Sequence, residues 1–206
     1  MDTDPPAPSA APAGTPGLQA RKKLAAMHRI QEAALGLFEE HGFDAVAIEA
    51  VAAAAEVAPR TVYRYFGAKE MLVIWDEADE HASSPLTPQF AAADPVDALR
   101  AAVRAGFAAM SDADLRLIRR RVALIYRVPA VEAAFTLHSY EKSRAIAAAV
   151  APDAGDRLDT QVFVHAFVGA FLGALRHWHL TDFDANPLPF VDRALTLLAQ
   201  GFTDTD

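Results

Sequence analysis

The stretch AVAIEAVAAAAEVAPRTVYRYFGAKEML, residues Ala45 to Leu72, constrains this chain more than any other. It reads as a short apolar helix, a tight turn and a second short helix closed by an aromatic pair, the pattern of a helix-turn-helix. Val51, Ala52, Ala55, Val57, Val62 and Phe66 fall where two short crossed helices need small or apolar contacts, with Ala52 at the closest approach. Pro59 suits the first turn of the second helix, where a missing N–H costs nothing and a fixed φ is already helical. At about 100° per residue, Val62 and Phe66 point into the domain and turn Arg60 and Arg64 outward, flanked by Thr61, Tyr63 and Tyr65. A major groove suits such a face. Arginine can donate two bonds to guanine O6 and N7, threonine can touch a thymine methyl or a phosphate, and tyrosine hydroxyls and Lys69 suit phosphate oxygens. The competing reading is a helical hairpin with a solvated arginine face.

Residues 29 to 72, from RIQEAALGLFEEHGF to the end of that stretch, resemble the amino-terminal domain of TetR-family transcriptional regulators. The resemblance rests on the apolar run Ala34 to Phe38, the pair Gly42-Phe43, and Tyr63, Phe66 and Lys69 at the end of the reading helix. It implies DNA-contacting roles for Thr61, Tyr63, Tyr65 and Lys69. Three positions depart from the family pattern. Val46 and Ala47 stand where a threonine usually caps the second helix and holds a phosphate, Glu56 stands where the turn normally has glycine, and Ala58 replaces a serine cap. The expectation is one phosphate contact fewer and a left-handed Glu56 that places a carboxylate near DNA. Each change costs on the order of 1 kcal/mol.

At 206 residues and 52% hydrophobic content, the chain can bury a substantial core as one large domain or two small ones; the resemblance implies two. The absence of cysteine excludes disulfides and thiolate metal sites. Its apolar runs count as shorter than the roughly 20 residues of a membrane helix, and Asp2 and Asp4 stand where a signal peptide would be basic. A soluble, cytoplasmic protein without a membrane partner is expected. A net charge of −8 opposes phosphate binding. However, the basic residues gather at Arg21, Lys22, Lys23, Arg60, Arg64 and Lys69, while Asp76, Glu77, Asp79 and Glu80 follow the reading helix, and local sign governs docking.

Motifs for catalysis are missing. His177 and His179 flank Trp178 without a third ligand, and on a helix their rings point about 160° apart. There is no glycine-rich phosphate loop, nucleophile elbow or His-Glu-x-x-His. A non-enzyme with no cofactor and no metal is expected.

In chain order, residues 1–18 read as a disordered tail, 19–68 as the reading domain and 69–206 as a second domain. Helix 1 is expected from Leu18 to His41, with Leu24, Met27, Ile30, Ala34, Leu37 and Phe38 on one stripe and Gly42 as its C-cap. Arg21-Lys22-Lys23 is either an arm toward DNA or the solvated start of that helix. Another helix is expected from Lys69 to about His81, ended by Ser83, Ser84, Pro85, Thr87 and Pro88. Helical patterns then cover about 95–110, 112–127, 129–150, 155–180 and 187–202, with no hairpin-linked strands. The sum is an all-α protein of about nine helices.

Two features of the second domain bear on function. Glycine inside a soluble helix costs about 1 kcal/mol relative to alanine, so Gly169 and Gly173 one turn apart indicate close helix approach. With Ala174 they are the candidates for the homodimer interface that the resemblance implies, and packing within one subunit is the other reading. Large apolar groups among many alanines, including Phe107, Met110, Phe135, Phe163, Phe167 and Trp178, suit a ligand cavity or a plain core. Arg119, Arg120 and Arg121 lie beside them, with Arg120 expected outside and Arg119 and Arg121 nearer the core boundary. The stretch RLIRRRVALIYRVPAVEAAF, with GALRHW later, resembles the carboxy-terminal domain of actinobacterial TetR-like regulators described as binding acyl-CoA-like ligands. The phosphates of such a ligand need cations, for which Arg119, Arg120 or Arg121 are the candidates, since a guanidinium pairs with phosphate through two bonds. The expected function is a transcriptional regulator, a repressor that binds a palindromic double-stranded DNA operator as a homodimer and is released by a small apolar or acyl-CoA effector. The alternative is an all-helical dimeric interaction or ligand-binding protein with weak or lost DNA binding.

Overall fold

The computed structural model describes residues 17–77, 95–151, 155–184 and 186–200. Among them the chain forms nine helices and no strand. The expected tail before Gly17, the breaker Ser83 to Pro88, Asp79, Glu80 and the breaker Pro152-Asp153 lie outside the described residues.

Helix α1 (Leu18–His41) ends at Gly42, whose N–H makes the last bond, to the Phe38 carbonyl, while its φ of 84° turns the following chain out of the helix. Its first turns include Arg21, Lys22 and Lys23, so this basic cluster is helical. The buried stripe is Met27, Ile30, Gln31, Ala34, Leu35 and Phe38. Gln31 is the unexpected member. Helices α2 (Ile48–Ala54) and α3 (Pro59–Phe66) cross under it, with Ala52 and Val51 fully buried at the crossing.

Helix α4 is only Met71–Ile74, and Trp75 leaves helical geometry at ψ 135°. This corrects the expectation of one helix from Lys69 to about His81. The cause is tertiary. Arg121 donates from Nε to the Val73 carbonyl (2.8 Å) and from Nη2 to the Ile74 carbonyl (2.5 Å), and Gln31 donates to the Trp75 carbonyl (2.8 Å). The carbonyls that the next helical turn would use are therefore satisfied by side chains.

Five longer helices follow: α5 (Pro95–Ala108), α6 (Asp112–Arg127), α7 (Pro129–Val150), α8 (Leu158–Leu180) and α9 (Leu188–Gln200). Ser111 and Asp114 close a reciprocal capping box at the start of α6, and Pro129 takes the first position of α7 after extended Val128. Helices α5, α8 and α9 enclose Ala98, Leu99, Phe167, Ala174, Val191 and Leu195. The Arg104 Nε–H of α5 is shared between both carboxylate oxygens of Asp192 of α9, at 2.9 and 3.0 Å.

Leu124 and Ile125 of α6 and Val131 of α7 join Met27, Phe38, Val62 and Trp75 in one continuous apolar core. The expected boundary after residue 68 thus crosses packed interior. Helix α8 is long and apolar enough to cross a membrane, with a mean hydropathy of 1.4 over its best 18 residues, contrary to the expectation from counting apolar runs. Here its inner flank packs against α6, α7 and α9.

Candidate DNA-reading face and effector cavity

Helix α3 divides along its length. Val62 and Phe66 are 1% and 7% exposed, whereas Arg60, Tyr63 and Arg64 stand in solvent and Thr61 is half-buried. Tyr65 is half-buried too, packed against the core with its hydroxyl reaching the Arg64 guanidinium at 3.3 Å. The outward face thus presents two guanidinium groups and a phenol on a rigid base. Gly67, at φ 73°, ends the helix.

Lys69 occupies a position that sequence reasoning did not foresee. Its Nζ donates to the Phe43 carbonyl at 2.5 Å and stands 4.4 Å from the Phe43 ring centroid. It ties the end of α3 to the turn after α1. Neither α2 nor α3 has a side-chain cap, because Ala47 and Ala58 occupy the capping positions. Glu56 adopts φ 55°, the left-handed backbone expected where the turn has no glycine.

Two successive arginines of α6 grip the reading unit from behind. Arg120 forks onto Glu39 (Nε–Oε1 2.7 Å, Nη2–Oε2 2.8 Å) and reaches Glu32 at 2.6 Å, both on α1. Its bonds to Glu39, and then those to Glu32, raise its pKa against the opposing effect of burial. Arg121 is 8% exposed; besides the α4 carbonyls it meets Asp76 at 2.7 Å. The expectation that Arg120 faces outward is corrected, because the seven-residue spacing of Glu32 and Glu39 on α1 draws it inward.

Behind this seam lies a cavity of about 370 Å³. Phe107, Met110, Arg121, Phe135 and Phe167 line it, joined by Val103, Ile118, Val122, Ile146 and Phe171. Four expected residues stay off its lining. Arg119 donates to the Asp182 carbonyl and stacks on Phe183, Arg120 is held by α1, Phe163 packs toward α5 and α9, and Trp178 packs on Val122 and Leu175. The sequence reading missed the polar lining residues Asp76, His138, Ser139 and Lys142. The i, i+4 spacing of His138 and Lys142, which puts both on one side of α7, was the available signal. Burial lowers the pKa of both groups, opposed by Glu141 at His138 and by Asp76 at Lys142.

On the outer flank of α8, Gly169 and Gly173 are exposed, and a Cβ on either would meet nothing within 4 Å. Val162 and Leu180, 59% and 70% exposed, lie along the same stripe at spacings of seven, four and seven residues. Ala174 does not belong to it. It is buried against α5 and α9, which removes it from the candidate interface. Among the described residues no group of histidines and carboxylates forms a metal site.

Comparison with known proteins supplies the context for this geometry. Residues 30–74 match the family model described as bacterial regulatory proteins, tetR family, and residues 93–203 match the MftR C-terminal domain. The HTH-type transcriptional regulator TcmR of Streptomyces glaucescens is 29% identical over 98% of this chain and 96% of its own length. Among solved structures, the TetR-family repressor FadR of Thermus thermophilus in complex with lauroyl-CoA superposes with a TM-score of 0.54 at 17% identity, covering 87% of this chain and 96% of that one. A SmeT–triclosan complex gives 0.55 at 20% identity over 85% and 91%; SmeT is the repressor of the Stenotrophomonas maltophilia efflux pump SmeDEF.

Proposed function

The chain belongs to the TetR family of bacterial regulatory proteins, which are DNA-binding transcriptional regulators and not enzymes; on that premise we propose that it is a repressor that binds a palindromic operator as a homodimer and leaves it when an apolar effector binds. Residues 19–68 are the reading unit and residues 69–206 the effector and dimerisation unit. The observation that carries the reading is the division of α3, with Arg60, Tyr63 and Arg64 outward over buried Val62 and Phe66. Arg60 and Arg64 read bases, and Thr61, Tyr63 and Tyr65 contact the backbone or thymine methyls. Lys69 keeps two N–H groups for phosphate beside its bond to Phe43.

Two observations support the remaining parts. Only 22% of the apolar window of α8 is buried within the chain, so a second copy seated on Val162, Gly169, Gly173 and Leu180 would cover what one protomer leaves open. The apolar cavity suits an effector of the acyl-CoA or drug-like kind, as FadR with lauroyl-CoA and SmeT with triclosan illustrate in other chains.

A gel-shift titration against genomic fragments tests this reading, followed by footprinting of the shifted fragment. Two protected half-sites about 34–36 Å apart are expected. No shift at micromolar protein would favour the rival, an all-helical interaction or ligand-binding protein. The uncapped α2 and α3 and the Glu56 carboxylate are the features that would then explain lost DNA binding.

A further inference from the structure

The cavity is apolar except at one end. There Arg121 of α6, Asp76 just beyond α4, and His138, Ser139 and Lys142 on one turn of α7 come together. Arg121 and Lys142 bring positive charge to this end, and Asp76, 2.7 Å from the Arg121 Nη1, faces both. Arg121 divides its donors between Asp76 and the last carbonyls of α4. A ligand carboxylate is a stronger acceptor for a guanidinium than a peptide carbonyl and can take two parallel bonds. The next cations along α6 are turned elsewhere. Arg119 stacks on Phe183 and Arg120 is held by Glu32 and Glu39, so neither faces this end to receive phosphates.

We propose that the effector is an apolar acid, whose aliphatic or aromatic body fills the cavity and whose single carboxylate or acidic phenolate is received by Lys142 and Arg121 in competition with Asp76. The proposal rests on the effector reading above and narrows it to the free acid rather than its coenzyme A thioester. The same competition supplies the signal. When the acid draws the Arg121 guanidinium toward itself, the Val73 and Ile74 carbonyls lose their donors and α4 is released from α6. An apolar molecule without the acid fills the cavity and leaves these bonds in place, so occupancy and response are separable.

The test uses the full chain and three probes with one tail length: decanoate, 1-decanol and decanoyl-CoA. Calorimetry should give decanoate at least tenfold tighter binding than decanol, and decanoate alone should release the operator fragment. Lys142→Gln should erase the acid preference and leave decanol binding unchanged, while Asp76→Asn, which removes the competitor, should tighten decanoate several-fold. Equal binding of acid and alcohol, or a preference that survives Lys142→Gln, overturns the proposal but leaves the apolar-effector reading standing. Binding by decanoyl-CoA alone does the same. Failure of all three probes to bind or to release DNA overturns both.

Discussion

Glu56 holds a backbone conformation that a residue with a side chain adopts at a cost of about 1–2 kcal/mol. Glycine would relieve that strain but loses about 0.4–1 kcal/mol through greater freedom in the unfolded chain. Glu56→Gly should therefore raise stability by about 0–1.6 kcal/mol in a thermal melt. It also removes an exposed carboxylate beside the reading helix, so operator affinity should rise, more at low salt than at high. Arg64 and Lys69 differ in kind. Arg64 rests on Tyr65 through a 3.3 Å hydrogen bond and a cation–π contact, both at the surface, and can turn from them to a base, so Arg64→Ala should cost about 1–3 kcal/mol at one particular base pair. Lys69→Ala should weaken all sequences alike and lower the melting temperature too, because it deletes the bond to Phe43. Competition binding against single-base operator variants, with a melt on each protein, separates the two patterns.

Among the elements, α6 has the most demanding position, because its capping box opens the helix and its middle grips both α1 and α4. Hydrogen bonds from Ser111 hold the Asp114 carboxyl below the ordinary value of 3.8. A lowered folded pKa adds stability that is present above the ordinary value and disappears as the pH falls through the folded one. Asp114→Ala should thus cost about 0.5–1 kcal/mol at neutral pH, and its difference from the parent protein should vanish in melts taken well below pH 3.8. Helix ends marked by local chemistry were legible in the sequence, as at Gly42, Pro59, Gly67, Ser111 and Pro129. The stop at Trp75 was not, because MLVIWDEADE contains no breaker and the groups that end the helix, Gln31 and Arg121, lie 44 and 47 residues away along the chain. Likewise the 3.6-residue period was enough to turn Arg60 and Arg64 outward. It did not show which of three consecutive arginines faces the cavity, since that depends on where Glu32, Glu39 and Asp182 fall. Helix α8 offers a clean probe of assembly. Gly173→Leu meets open space within the protomer, so light scattering should show a dimer converted to a monomer with its helical circular dichroism intact.

At the scale of the whole molecule, the reading unit and the effector unit share one core, since Leu124, Ile125 and Val131 pack with Met27, Phe38 and Trp75. Two units joined by packed interior melt together. A single thermal transition is expected, observed at the same temperature by helical signal and by tryptophan emission, and rising with protein concentration if the folded form is a dimer. Two transitions would show that the units unfold separately.

The paired grip of Arg120 and Arg121 also limits how the protein can be re-engineered or recombined. A reading head borrowed from another regulator would have to bring carboxylates to the positions of Glu32 and Glu39 and an amide to that of Gln31. Without them, the partly exposed Arg120 guanidinium and the buried Trp75 carbonyl lose their partners; the orphaned carbonyl costs about 1–3 kcal/mol and the exposed ion pairs less. Grafts should therefore succeed when the donor head retains this acid-and-amide pattern on its first helix, whatever its reading helix recognises. In such chimeras operator choice and effector response are inherited separately only if the graft includes the seam.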